Sequence, residues 1–157
     1  MMVLDRRPLI TAGLLLGVGL GGFVDGIVFH QILQVHNMLS AKRPPTSVVN
    51  LEINMVWDGL FHAFTWLTTV IGVTLLFRAG RRPDVPWSGR TLVGSAIAGW
   101  GLFNLIEGTI DHYILGVHHV VERLGLSIWD AVFLASGVAL IVLGWWLVRS
   151  DRKAVSD

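Results

Sequence analysis

The sequence predicts an all-α integral membrane protein, a four-transmembrane-helix bundle with both termini in the cytoplasm. Hydrophobic residues make up 53% of the 157 residues, and the mean hydropathy is +0.64. Both values are high for a soluble domain. Four apolar segments reach the length of about 20 residues that an α-helix needs to cross the hydrocarbon core. Lys and Arg are distributed unequally among the segments that connect them.

The four predicted helices cover residues 9–35, 53–77, 91–115 and 127–148, and we expect residues 1–157 to form one membrane domain. The linkers contain Pro, Gly and charged residues that end helices. An open sheet cannot lie in lipid, and no segment alternates like a barrel strand, so the spans are helices. The apolar run after Arg6 and Arg7 is too long for a signal peptide, so we expect it to remain as the first helix.

Basic residues set the predicted orientation. Nine lie in the N-terminal tail, the second linker and the C-terminal tail: Arg6, Arg7, Arg78, Arg81, Arg82, Arg90, Arg149, Arg152 and Lys153. Three lie in the first and third linkers: Lys42, Arg43 and Arg123. Since cytoplasmic loops carry the excess of positive charge, both termini are expected in the cytoplasm of an inner-membrane protein.

Composition also excludes several classes of function. The chain has no cysteine, so disulfides and thiolate metal sites are excluded. A net charge of +1 gives no electrostatic basis for binding nucleic acid.

A stripe of small residues opens the first helix. Gly13, Gly17 and Gly21 recur every four residues and would let another backbone approach closely. We favour packing within the chain, and the alternative is a homo-oligomer through these glycines.

Ionisable residues of all four segments reach a similar depth. Asp25 and Glu107 lie 16 residues into the first and third segments, and His62 and Asp130 lie at comparable distances from the opposite ends of theirs. A rise of about 1.5 Å per residue places them together in the outer leaflet. Close to them are His30, Asp58, Asp111 and His112. Ionisable residues at such depth are costly and indicate a functional site.

An acid, a glycine and a histidine recur three times, in 25–30, 58–62 and 107–112. This recurrence indicates one site built from equivalent parts. Asp25 and His30 are five residues apart and do not share a face of an ideal α-helix. A π turn at Gly26 would align them, and such turns are frequent at functional sites.

Imidazole and carboxylate groups together are typical ligands of zinc, iron, manganese and copper. The candidate ligands are Asp25, His30, Asp58, His62, Glu107, Asp111 and His112, enough for one or two ions. A metal-free acid–histidine network is the alternative. At the outer boundary, His36, His118 and His119 are either solvated loop histidines or further ligands that pass metal inward. Asp130 is either a ligand or a helix cap. Asn54 and Asn104 are expected to support the site as hydrogen-bonding residues.

Three stretches resemble a known family: GGFVDGIVFHQILQVHNMLS (21–40), DGLFHAFTW (58–66) and WGLFNLIEGTIDHYILGVHH (100–119). They are similar to the bacterial membrane-protein family catalogued as domain of unknown function 2243. The resemblance covers nearly the whole chain and implies a compact four-helix membrane protein. It implies no activity.

Four functions remain open from the sequence. The first is a metal-dependent enzyme with a mono- or dinuclear site, acting by oxidation or hydrolysis on a substrate that could be lipidic. The second is a metal carrier or insertion factor for copper, iron or zinc on the periplasmic side. Haem ligation and a proton pathway are weaker alternatives, because carboxylates crowd the histidines and the cytoplasmic half lacks charge.

Overall fold

The structure is a computed structural model that describes residues 4–151. Four α-helices follow in order: α1 (Arg7–Val24), α2 (Val48–Gly80), α3 (Gly89–Glu107) and α4 (Ile128–Ser150). A π-helix, π1 (Asp25–Ile32), continues α1, and a second, π2 (Gly108–Ile114), continues α3. A short 3-10 helix, Glu122–Leu124, precedes α4. Arg152 and Lys153, which contributed to the predicted orientation, lie outside the described residues.

The predicted all-α fold and its four helices are confirmed, with ends within a few residues of those expected. Three segments are long and apolar enough to cross a membrane: Arg7–Ile32, Val48–Gly80 and Ile128–Ser150. The α3–π2 segment does not meet that criterion within residues 4–151. Its buried face includes Thr91, Ser95, Asn104 and Glu107, and these polar residues lower its hydropathy.

The main helix contacts join α2 to α1, α1 to α3, and α3 to α4. Contacts between α1 and α3 ascend together, from Gly13 beside Ser95 to Gly21 beside Trp100, so these two helices are parallel. Contacts from α1 to α2 and from α3 to α4 run in opposite directions, so both pairs are antiparallel. The C-terminal ends of α1 and α3 and the N-terminal ends of α2 and α4 therefore lie at the same end of the molecule, the end that contains π1 and π2.

Glycine permits the closest approach of α1 and α3. A Cβ at Gly17 would overlap the carbonyl oxygen of Ala96, and a Cβ at Gly99 would overlap that of Leu14. Gly13 and Gly21 also face α3, so the predicted stripe packs within the chain. Homo-oligomer formation through these glycines stays a prediction.

These contacts reveal an internal pseudo-two-fold symmetry. Residues 17 and 99 differ by 82, as do residues 14 and 96, so the two glycine contacts are reciprocal. Reciprocal contacts are the signature of a two-fold relation. The pair α1–α2 is thus equivalent to the pair α3–α4, with an axis along the parallel helices, as in membrane proteins built from parallel repeats.

The other end of the bundle is fastened by Asp151. Its Oδ2 lies 2.7 Å from Arg6 Nη2 and accepts hydrogen bonds from the hydroxyls of Thr91, at 2.6 Å, and Ser88. Arg6 also donates to Thr91. The network joins the start of α1 to the start of α3 and the end of α4.

We predict that Gly17→Ala destabilises the protein by about 1–3 kcal/mol, the usual cost of overpacking. Gly59→Ala is the matched control, because nothing lies within 4 Å of a Cβ at that position. Alanine also favours a helix over glycine there. Thermal unfolding of both variants in detergent, followed by circular dichroism, measures the difference. An unchanged midpoint for Gly17→Ala would contradict the close α1–α3 contact.

A second prediction concerns Asp151. Hydrogen bonds from Ser88 and Thr91, with the charge of Arg6, lower the pKa of its carboxyl. A lowered folded-state pKa stabilises the protein above the usual carboxyl pKa of about 3.9, and the stabilisation is lost as the pH falls through the folded-state value. Asp151→Asn should therefore cost about 1–3 kcal/mol of unfolding free energy at pH 7.

The cost of Asp151→Asn should shrink as the pH falls below about 4, because the carboxyl of the unfolded chain is protonated there first and the native carboxyl follows at its lower pKa. Asp84→Asn is the control, because Asp84 pairs with Arg82 on the surface. We expect it to leave the unfolding midpoint nearly unchanged. Chemical denaturation of each chain at pH 7 and pH 3 makes the measurement, and an equal loss for Asp151→Asn at both pH values would refute the prediction.

Candidate metal centre

The π-helices position the polar residues of the first and third helical segments. A π turn at Gly26 is what the five-residue spacing of Asp25 and His30 requires, and the structure confirms it. After π1 and π2 the backbone turns left-handed at equivalent positions, Gln34 (φ 49°) and Gly116 (φ 53°). That conformation is unfavourable for a residue other than glycine, so the surroundings hold Gln34 in place.

His30 lies between two carboxylates. Its Nδ1 is hydrogen-bonded to Asp58 Oδ1 at 3.0 Å, and its Nε2 lies 3.3 Å from Asp25 Oδ2. Asp58 also accepts hydrogen bonds from the Asn37 amide, at 2.9 Å, and the Met38 backbone N–H, at 2.8 Å. One carboxylate therefore joins α2 to π1 and to the first linker.

His112 repeats this arrangement in the second half. Its Nε2 lies 3.1 Å from Glu107 Oε1, and its Nδ1 lies 3.0 Å from Asp130 Oδ1. Asp130 accepts a hydrogen bond from the Val120 backbone N–H at 3.1 Å, and its other oxygen accepts one from the Ser127 backbone N–H at 2.8 Å. Asp130 thus caps α4, which is one of the two interpretations left open by the sequence, and it also lies beside His112. Its role as a metal ligand stays a prediction.

His36 and His118 meet at the pseudo-two-fold axis. Their rings stack with centroids 4.8 Å apart and an interplanar angle of 1°. His36 Nδ1 donates to the Val120 carbonyl at 3.0 Å, and His118 Nδ1 donates to the Met38 carbonyl at 3.1 Å. Both side chains are buried, with 3% and 0% exposure. Their interpretation as solvated loop histidines is wrong, because each linker folds back over the bundle.

These hydrogen bonds define the state of each ring. A carbonyl only accepts, so Nδ1 carries the hydrogen and a neutral ring keeps its lone pair on Nε2. Burial, reinforced by the charges of His118 and His30, lowers the pKa of His36 to about 3, which keeps it neutral. Burial opposes protonation of His118 too, but the hydrogen bond of its Nε2 to Glu107, at 2.8 Å, raises its pKa above the usual value. A metal bound there would displace that proton.

Ligand atoms converge in two overlapping groups. One contains His30, His36 and His118, and the other contains Glu107, His112 and His118. Within each group the candidate ligand atoms lie within 4.8 Å of one another. Within these two groups, His30 Nε2, His36 Nε2 and Glu107 Oε2 are buried and make no hydrogen bond to a described residue, although His30 Nε2 lies 3.3 Å from Asp25 Oδ2. Such atoms are rare in native proteins, and a bound ion is one physical explanation.

The sequence-predicted site residues fall into three sets. The structure brings His30, His112 and Glu107 together with His36 and His118. Asp25, Asp58 and Asp130 lie behind these, each within 3.3 Å of a histidine nitrogen. Outside both groups are His62, Asp111 and His119.

The residues outside the groups have other contacts. His62 Nδ1 donates to the Asp58 carbonyl at 2.7 Å, and its ring lies against Gly26. His119 is half-buried, with Nδ1 3.5 Å from Asp130 Oδ1. Asp111 lies on the wall of a cleft between α2 and α3.

The two asparagines expected near the site hold neighbouring backbone and helices. Asn54 accepts from the Leu39 N–H at 3.0 Å and donates to the Arg43 carbonyl at 2.8 Å, so it fastens the first linker to α2. Asn104 donates to the Ser136 hydroxyl at 3.0 Å and joins α3 to α4.

Sequence reasoning gave too little weight to His36 and His118, although a signal for them exists. The pattern His-x-Ile-Leu-x-Val-His occurs at 30–36 and again at 112–118, with the same offset of 82 residues. The third predicted part, at 58–62, is not a further copy, because Asp58 corresponds in the structure to Asp130. The site is built from two equivalent halves rather than three parts.

Comparison with known proteins identifies the family of this chain. The family model described as Predicted membrane protein (DUF2243) matches residues 12–151. The chain belongs to this family. The resemblance seen in the sequence is thereby confirmed, and the DUF2243 match includes every residue of both ligand groups. No curated protein and no solved structure matches the chain.

We predict that Asp58→Ala costs about 3–5 kcal/mol of stability, because it leaves the buried His30 and the half-buried donors of Asn37 and Met38 without an acceptor. Glu52→Ala is the control, an exposed acid on the same helix. Asp130→Ala should resemble Asp58→Ala, since it holds the equivalent linker. Unfolding in detergent compares the three variants. If Asp58→Ala were as mild as Glu52→Ala, the proposed role of this carboxylate would be wrong.

Proposed function

We propose that this protein is an integral membrane metalloprotein whose histidines and carboxylates bind one or two transition-metal ions. The ligands are His30, His36, His112, His118 and Glu107. Asp25, Asp58 and Asp130 orient the histidines. The observation that carries the proposal is the convergence of three buried imidazoles, from His30, His36 and His118, with candidate ligand atoms within 4.8 Å.

The hydrogen bonds of the other ring nitrogens support metal binding. A histidine that binds metal usually donates its second N–H to a carboxylate or a backbone carbonyl, which fixes the ring and its tautomer. The Nδ1 atoms of His30, His36 and His118 make such bonds to Asp58, Val120 and Met38 respectively. The Nε2 atoms of His30 and His36 make no hydrogen bond within the described residues, and an ion at His118 Nε2 would replace its hydrogen bond to Glu107.

Charge also favours a cation. Asp25, Asp58, Glu107 and Asp130 are all buried at one end of the bundle. Buried carboxylates repel one another and lose hydration, and both costs fall when a cation lies among them. His118 belongs to both ligand groups, so two ions could occupy neighbouring positions. Zinc, iron and copper all suit this mixture of donors.

We infer that the metal serves an enzyme that acts on a membrane-soluble substrate by oxidation or hydrolysis. A metal in this site would supply Lewis-acid or redox chemistry. Glu107 connects the ligand groups to a cleft that opens between α2 and α3, which gives a lipidic molecule a route to the site. The alternative, a carrier for copper, iron or zinc, is distinguished below by metal exchange.

The proposal includes four spanning helices, cytoplasmic termini and a site on the periplasmic side of the inner membrane. The parallel arrangement of α1 and α3 and the antiparallel partners α2 and α4 support four passes. The charge distribution of the linkers supports the orientation. Cysteine accessibility at Lys42→Cys and Arg82→Cys would test it, and labelling of position 42 from the cytoplasm would overturn it.

The decisive experiment is elemental analysis of detergent-purified protein. We expect about one or two metal ions per chain, in keeping with the two ligand groups. His36→Ala and His118→Ala should lower affinity at least tenfold, since even supporting residues typically contribute tenfold or more. His62→Ala is the matched comparison, because His62 lies outside both groups.

Below about 0.2 metal ion per chain, and with no difference among the three variants, the metalloprotein proposal is wrong. Loss of metal in His62→Ala equal to that in His36→Ala would contradict the ligand set. Metal that exchanges within seconds with a chelator would favour the carrier, whereas retention during long dialysis favours an enzyme.

A further inference from the structure

A cleft of about 360 Å³ lies between α2 and α3, beside the second ligand group. Aromatic and aliphatic side chains form most of its surface: Trp57, Leu60, Phe61, Phe64, Phe103, Ile106 and Ile110. Several of these are about half exposed, including Leu60 at 55% and Phe64 at 54%, so the cleft opens towards the surroundings of the helices. In a bilayer, that opening faces lipid.

Two acids interrupt the apolar surface, Glu107 and Asp111. Glu107 belongs to the second ligand group, and its Oε2 has no hydrogen-bond partner within the described part of the chain. The Asp111 carboxylate is partly exposed, and it makes no hydrogen bond or ion pair with any residue of 4–151. An ionisable residue at membrane depth is costly unless something pairs with it.

The internal symmetry shows that the fold does not require an acid at this position. Asp111 precedes His112, and the equivalent residue before His30 is Phe29. Phe29 stacks on His36, with ring centroids 6.0 Å apart. The first half therefore forms the same π turn with an apolar residue, and the carboxylate of Asp111 has a role beyond the backbone geometry.

We propose that this cleft binds a membrane-soluble phenol or hydroquinone, whose hydroxyl group donates a hydrogen bond to Asp111 and whose ring packs among the aromatic side chains. The inference rests on the proposed function and names the substrate class of that site. Glu107 is common to the cleft and the ligand group, so the head of the bound molecule lies next to the metal ligands.

The chemistry of the lining favours this occupant. No Lys or Arg is among the lining residues, so the cleft offers nothing to the phosphate of a phospholipid. Its acids accept hydrogen bonds, which requires a head that donates. Four aromatic rings, of Trp57, Phe61, Phe64 and Phe103, offer the offset or edge-on packing that a flat ring prefers. The volume suits one ring and the start of an apolar tail.

The test compares two probes, 4-nonylphenol and its methyl ether 4-nonylanisole, in which a methyl group replaces the hydroxyl hydrogen and the donor is lost. Binding to purified full-length protein is measured by calorimetry in detergent. We expect the phenol to bind at least about tenfold more tightly than the ether, the effect of one hydrogen bond to a charged group. Asp111→Leu should abolish this preference.

A matched pair of variants tests the location. Leu60→Trp fills the cleft and should abolish binding of both probes. Val132→Trp is the control, because Val132 occupies the equivalent position in α4 and is 49% exposed, close to Leu60. It should bind the phenol as the native protein does. Equal affinities for phenol and ether, or an undiminished preference in Asp111→Leu, would overturn the inference.

Metal content of the same samples separates this inference from the proposed function. Asp111→Leu and Leu60→Trp should retain the native metal content, since neither residue belongs to a ligand group. A protein that contains metal but does not prefer the phenol would refute the proposed binding of a phenol in the cleft, and the proposed metal site would stand. A metal-free protein that prefers the phenol refutes the metal site and supports the cleft as a binding site.

Discussion

Two buried carboxylates, of Asp58 and Asp130, determine how the site end of this molecule is closed. Each accepts a backbone N–H from a linker, at Met38 or Val120, and each lies 3.0 Å from a histidine Nδ1. Leaving such a carboxylate buried without these partners would cost several kcal/mol. The linkers are therefore held down over the helix ends, which buries the histidines that follow π1 and π2.

The close packing of α1 on α3 brings the histidines of the two halves together in one centre. Because Gly17 and Gly99 allow the two helices to touch, the segments that follow π1 and π2 meet and His36 stacks on His118. Each of these rings donates to the linker of the opposite half. Neither half could form the centre alone, since each supplies the acceptor that fixes the other's histidine.

Much of this could be predicted from the sequence, because the relevant signals are local. Apolar length located the four helices, and the spacing of Asp25 and His30 indicated the π turn. The burial of His36 depends on a carbonyl 84 residues away, at Val120, and no local pattern reports such a contact. His62 was misleading for a different reason: its depth matches that of Asp25 and Glu107, but depth does not tell which way a side chain faces, and Gly26, not the centre, lies opposite its ring.

The pseudo-symmetry separates what the fold requires from what is left for function. Where the two halves agree, as at His30 and His112 or Asp58 and Asp130, the residues build and close the centre. Where they differ, the differing residues affect the opening of the site to the cleft and the number of histidines that a carboxylate contacts. Glu107 is one methylene longer than its counterpart Asp25 and contacts both His112 and His118, whereas Asp25 approaches His30. The second half thus supplies all three members of one ligand group and both acids of the cleft, which is where two equivalent halves would be expected to differ if only one of them receives the head of a substrate.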